Sequence, residues 1–128
     1  MIIDTNVLIR LERETRRGIP GEASVLFESL RETRICITPT IAGEIACGAS
    51  MSGRETWERF LKPYEMVPID AEATWHYGAQ YRALSKRGEL IGTNDLWIAA
   101  TALAHQLPLA TGNGHEFKRV KGLAVVSV

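Results

Sequence analysis

Short apolar runs alternate with longer helix-patterned stretches along the whole of this chain. "MII", "RICIT", "EMVPI", "LPLAT" and "LAVVSV" read as strands, and each is separated from the next by at least one amphipathic segment. Strands joined through helices pair in parallel, because a parallel pair needs a long crossover. The alternation therefore predicts an α/β sandwich built around a parallel sheet of about five strands.

The helical segments carry their own signals. A helix is predicted from about residue 7, fading in the charged "RLERETRRG" and stopping near Gly18 and Pro20. "EASVLFESLRE" places Ala23, Leu26, Phe27 and Leu30 on one face. Thr38 suits a helix cap with Pro39 at the first position. That helix would turn Ile41, Ala42, Ile45, Ala46 and Ala49 to one side. "RETWERFLK" turns Trp57, Phe60 and Leu61 inward. Asp70 caps "AEATWHYGAQYRALSKRG", which ends at Gly88. "NDLWIAATALAHQ" is apolar nearly all round and is predicted to be central and buried.

A length of 128 residues suits one domain. Hydrophobic content of 45% with 23% charged residues is ordinary for a folded chain and argues against disorder. The 15 basic and 15 acidic residues cancel, so the chain lacks the excess positive charge of a nonspecific nucleic-acid binder. Contact with nucleic acid would need a local basic patch or a metal. Cys36 and Cys47 lie in apolar surroundings and form neither a disulfide framework nor a zinc site. The N-terminus has no basic stretch followed by a long apolar one. "LWIAATALA" is too short to span a bilayer. The expectation is a cytoplasmic protein with no membrane partner. There are no repeats or low-complexity stretches.

Most of the acids lie in mixed-charge stretches that read as solvated helix faces. Asp4 in "MIIDTNVLI", Glu44 in "TIAGEIACG" and Asp95 in "IGTNDLWIAA" stand instead among apolar or small residues. Singly, each has a structural reading. Asp4 with Thr5 and Asn6, and Asp95 with Thr93 and Asn94, suit helix starts. Glu44 suits the edge of an apolar stripe. Together they point elsewhere. In a parallel α/β sheet the strand-to-helix junctions gather at the carboxyl edge, where ligands bind. Three carboxylates there repel one another unless a cation sits among them. Oxygen ligands select a hard ion, Mg²⁺ or Mn²⁺, and such an ion suits chemistry on a phosphate ester.

Here the residues meet a resemblance. "MIIDTNVLI", "TPTIAGEIACG", "IGTNDLWIAATAL" and "LATGNGHEFKRVKGL", in that order across the chain, resemble the successive motifs of PIN-domain nucleases. They most resemble the compact VapC-type toxins of bacterial toxin–antitoxin pairs. The resemblance implies a three-layer sandwich and an Mg²⁺- or Mn²⁺-dependent endoribonuclease leaving a 5′-phosphate and a 3′-hydroxyl. It matches Asp4, Glu44 and Asp95 to the acidic cluster that holds the ion, and Asp4 and Asp95 are expected to bind it directly. Glu44 would complete the site, through water or by orienting the attacking water. It also implies a cognate antitoxin, which would insert a basic side chain among the acids, and a homodimer. Surplus apolar surface around Trp57, Phe60 and Leu61 is the expected dimer face. In the fourth motif Asn113 stands where the family's fuller pattern has an aspartate. It is read as a neutral group of the catalytic set. Glu116, three residues on, is read as a first-turn helix glutamate.

Other polar residues near the motifs carry two readings each. Thr5, Asn6 and Thr111 suit support of the acids or plain caps and turns. Arg10, Lys118, Arg119 and Lys121 suit contacts to RNA phosphate or solvated surface. His76, His105 and His115 are scattered and suggest no paired acid–base site. The rival to the nuclease is a non-cleaving PIN-like module that binds RNA or protein, and titration with Mg²⁺ separates the two.

Overall fold

The computed structural model describes the chain from Met1 to Val128. Its strands are β1 (Ile2–Ile3), β2 (Cys36–Ile37), β3 (Glu65–Met66), β4 (Leu109–Thr111) and β5 (Val125–Ser127). Its helices are α1 (Thr5–Arg17), α2 (Glu22–Ser29), α3 (Pro39–Ala46), α4 (Arg54–Leu61), α5 (Ala71–Lys86), α6 (Thr93–Ala104) and α7 (Gly114–Phe117), with a 3-10 turn at Ala49–Met51. All strand pairs are parallel, in the order β3-β2-β1-β4-β5. This is the expected α/β class, with helices flanking a five-stranded sheet.

The paired segments are shorter than the apolar runs that announced them. Of "EMVPI" only Glu65–Met66 forms the strand, at an exposed edge of the sheet. Pro68 has no N–H with which to extend the ladder. The central strands are wholly apolar, with Ile2, Ile3, Cys36 and Ile37 fully buried. This is how strands covered on both faces read.

Caps fix where the helices begin. Helix α1 starts at Thr5, two residues before the expected start, because Asp4 Oδ1 accepts the Thr5 N–H at 2.8 Å. It ends at Gly18, whose φ of 66° suits glycine. Thr38 Oγ1 accepts the Ile41 N–H at 3.2 Å, and Pro39 occupies the first position of α3. Asp70 Oδ1 accepts the Ala73 N–H at 2.9 Å. Helix α2 has only Gly21 at its start, so its cap comes from α1. The Glu14 carboxylate accepts from the backbone N–H groups of Gly21 at 3.0 Å, Ala23 at 3.3 Å and Ser24 at 2.8 Å.

Helix α6 is buried along most of its length, as its all-round apolarity required. Tyr77 of α5 stacks on its Trp97 with centroids 4.0 Å apart. On α4, Leu61 is buried while Trp57 and Phe60 pack against the core, and Trp57 Nε1 donates to Ala42 O at 2.9 Å. These side chains complete the chain's own core. Part of the apolar surface expected as surplus there is thus used inside the chain, while Trp57 and Phe60 stay half-buried. Of the two cysteines, Cys36 is buried as its surroundings suggested, whereas Cys47 is exposed at the end of α3.

The strand order has one consequence for function. From β1 the chain steps to β2 and β3 on one side, then crosses to β4 and β5 on the other. The direction of winding reverses between β1 and β4. Beyond the carboxyl ends of those two strands lies the crevice where open α/β sheets bind ligands.

Candidate active site

Asp4 is the first residue past β1 and is only 5% exposed. Its backbone N–H donates to Ala110 O at 2.9 Å, so the ladder between β1 and β4 carries the residue into the crevice. Oδ1 is committed to the cap of α1. Oδ2 accepts from Thr111 Oγ1, at the end of β4, at 2.7 Å. Burial holds the Asp4 carboxyl above its ordinary range; the bonds from Thr111 and Thr5 oppose that, and the charge of Glu44 adds to it.

Glu44 reaches the same place from α3. Its Oε1 accepts from Thr5 Oγ1 at 2.7 Å, which ties α3 to the first turn of α1. Asp95 arrives on the first turn of α6. Gly92 precedes that helix without a side-chain cap, and no hydrogen bond of the Asp95 carboxylate to the helix start is present, so the capping reading does not account for it. Its carboxyl is pushed up to about 6, first by burial and then by the negative charges of Asp4, Glu44 and Glu116, with the Asn113 amide opposing. Asp95 thus senses three other acids from three other elements. The fold brings Asp4, Glu44 and Asp95 into one electrostatic neighbourhood.

The segment after β4 closes the site. The Asn113 N–H donates to Thr111 Oγ1 at 2.9 Å, so one hydroxyl links Asn113 to Asp4. Asn113 Nδ2 donates to Glu116 Oε2 at 3.0 Å. Glu116 does lie in the first turn of a helix, α7, yet its charge reaches Asp95. Sequence reasoning set this acid aside. The signal was its place one helical turn after Asn113 in "GNGHEF", which puts the two on one face.

Asn6 Oδ1 accepts the Gly112 N–H at 3.2 Å and so holds the loop between β4 and α7. A Cβ on Gly112 would stand 3.3 Å from both the Asn6 side chain and Arg10 Nη2. Arg10 pairs with Glu22 at 3.2 Å, at the rim of this loop. Lys118 and Arg119 lie beside His115 on another rim, past α7. Lys121 is exposed further along, and no contact brings it to the acids. His105 Nε2 lies 2.8 Å from Pro68 O, away from the cluster.

The chain matches the PIN domain pattern over residues 1–123. It belongs to the PIN-domain family. Among relatives of this PIN domain, Ribonuclease VapC2 of Rickettsia felis is 33% identical, over 95% of this chain and 92% of its own. Ribonuclease VapC1 of Methanocaldococcus jannaschii is 34% identical, over 88% of this chain and 87% of its own. The fold is similar to that in the structure of VapBC-1 from nontypeable Haemophilus influenzae. There the TM-score is 0.83 at 25% identity, covering 98% of this chain and 96% of the other.

The PIN domain's donor set fits a hard divalent cation. Asp4, Glu44, Asp95, Asn113 and Glu116 all offer oxygen, and no sulfur or imidazole is hydrogen-bonded to any of them. The Asp95 carboxyl is raised first by burial and then by the negative charges of Asp4, Glu44 and Glu116, and a cation would offset that charge. No three acidic, histidine or cysteine side chains stand close enough together in this structure to hold a metal ion between them. An open arrangement suits an ion that keeps several waters and binds through one or two carboxylates.

Proposed function

We propose that this PIN domain is a divalent-metal-dependent endoribonuclease, the toxin of a toxin–antitoxin pair. The observation that carries the reading is the meeting of Asp4, Glu44 and Asp95 at the winding reversal between β1 and β4. Relatives named as VapC ribonucleases support it across nearly the whole chain. Asp4 and Asp95 would hold Mg²⁺ or Mn²⁺. A bound ion there neutralises charge on a phosphodiester and lowers the pKa of water.

The chain's own groups do the rest. Thr111 and the Thr5 N–H fix both Asp4 oxygens. Thr5 Oγ1 holds one oxygen of Glu44, leaving the other to orient a water for in-line attack. Asn113 ties Glu116 to the loop, and its amide oxygen is left to accept from a water. Hydrolysis would leave a 5′-phosphate and a 3′-hydroxyl.

The toxin reading includes a cognate antitoxin. Solved neighbours include VapBC2 of Rickettsia felis bound to a DNA fragment from their promoter. A basic side chain of the antitoxin, an arginine for preference, would enter among the acids and compete with the ion. The reading also includes one nuclease domain over 1–128, action in the cytoplasm, and a homodimer. No helix is long and apolar enough to cross a membrane.

The test is cleavage of RNA by purified protein with Mn²⁺, with EDTA, and with Asp4→Asn or Asp95→Asn. Cleavage that needs the ion and both acids supports the proposal. Cleavage that persists in EDTA and in both variants sinks the mechanism, and RNA binding without any cleavage would favour the non-cutting module.

A further inference from the structure

Along the segment that carries Glu116 lies a concavity of about 470 Å³, lined by Gly88, Glu89, His115, Lys118 and Arg119, with no apolar side chain among them. Its walls are the two segments that deliver acids to the site. One is α7, which carries Glu116. The other is the turn between α5 and α6, which leads to Asp95. Gly114 and Phe117 are buried, which turns His115 and Lys118 outward on α7 and just beyond it.

Arg119 is a fastened part of this wall. Its Nη1 donates to Leu90 O at 3.3 Å, and Arg87 Nη2 donates to Arg119 O at 2.8 Å. Glu89 pairs with Arg87 at 3.6 Å, so the charges left over are those of Lys118 and Arg119. In a chain of zero formal charge, two basic side chains without an acidic partner therefore line a pocket whose His115 is the chain neighbour of Glu116.

We propose that this pocket binds a backbone phosphate of the RNA next to the phosphate that is cut. The proposal rests on the nuclease reading. A cation at the acids offsets the scissile phosphate alone, and the neighbouring phosphates still face four carboxylates. Positive charge beside the cluster is what lets a polyanion lie across it. The lining has no Phe, Tyr or Trp, and its two cations suit phosphate oxygens, so the pocket reads chiefly backbone and its contribution varies little with RNA sequence.

The test uses His115→Ala and Lys118→Ala, singly and together, because both side chains are exposed, whereas Arg119 is tied to backbone carbonyls. Cleavage kinetics are measured on short single-stranded RNAs, one intact and others with a single methylphosphonate near the cut. The variants should raise KM about three- to ten-fold with kcat within about two-fold. The slope of log KM against log salt should fall by about 0.7 for Lys118→Ala, which removes a charge, and stay unchanged for His115→Ala. On the RNA neutralised at the contacted phosphate, wild type and variants should become equal. Unchanged KM and salt slope, or a difference that survives on every neutralised RNA, overturns the pocket while wild-type cleavage leaves the nuclease reading standing. If the wild type cleaves no RNA with Mn²⁺, both fall together.

Discussion

At the scale of single residues, the site carries strain that shows as stability. Asp95 has an ordinary carboxyl value of 3.8 and is raised to about 6 in the fold. A raised acid keeps its proton longer when folded, so its contribution falls as pH rises from about 4 to 6 and stays unfavourable above that. Allowing for solvent screening, the penalty at neutral pH is about 1–2 kcal/mol. Asp95→Asn should therefore melt above wild type in EDTA at pH 7.5, and the two should converge at pH 4; calorimetric melts at both pH values check this. Activity should move the other way, because the substitution removes a charge from the metal site. Thr111→Val takes away a donor from buried Asp4 and should destabilise by about 1–3 kcal/mol, read from urea unfolding. Asn113→Ala should lower the cleavage rate about ten-fold, and Asp95→Asn by considerably more. Asn113→Asp should tighten Mn²⁺ binding; if metal dependence is unmoved, Asn113 is only a turn residue.

At the scale of elements, helix starts place the chemistry. Asp4 caps α1 and Thr38 caps α3, so the helices bearing Thr5 and Glu44 begin where strands β1 and β2 end. Helix α2 depends on its neighbour instead. Glu14 is held below the ordinary carboxylate range by the Ser24 hydroxyl and by backbone N–H groups at the start of α2. A lowered acid contributes stability above its unfolded value of 4.5 and loses it as pH falls through the lower folded value. Glu14→Gln should lower Tm at pH 7 and show a weaker loss of Tm below pH 4.5 than wild type does. Identical pH profiles would mean that α2 starts without this cap. The same cap shows the limit of sequence patterning. Gly21 offers no side chain, and its partner lies on another helix, seven residues back. Strand lengths were hidden likewise, because a two-residue strand is defined by its neighbours' hydrogen bonds and not by its own composition.

At the scale of the whole molecule, the order β3-β2-β1-β4-β5 brings acids from distant parts of the chain to one crevice. The fold class was legible in the alternation of apolar runs with helices. The burial of α6 was legible in its lack of a polar face. Asp4, Glu44 and Asp95 were legible as acids without charged neighbours, and the junctions of a parallel sheet gather at one edge. Glu116 was not, because a glutamate in a helix's first turn is commonplace and only the path of β4 brings it to Asp95. Nor was the role of α4: whether Trp57, Phe60 and Leu61 cover the core or a partner depends on how closely α3 approaches. Light scattering at high micromolar concentration should give twice the 14.2 kDa chain mass for the proposed dimer; a monomer there removes that part of the proposal. The central claim is that the acid cluster holds a divalent cation, and calorimetric titration of metal-free protein with Mn²⁺ tests it most directly. Wild type should bind saturably, and Asp4→Asn and Asp95→Asn should each weaken binding at least about ten-fold. No saturable binding by wild type, or equal binding by all three proteins, would contradict the account.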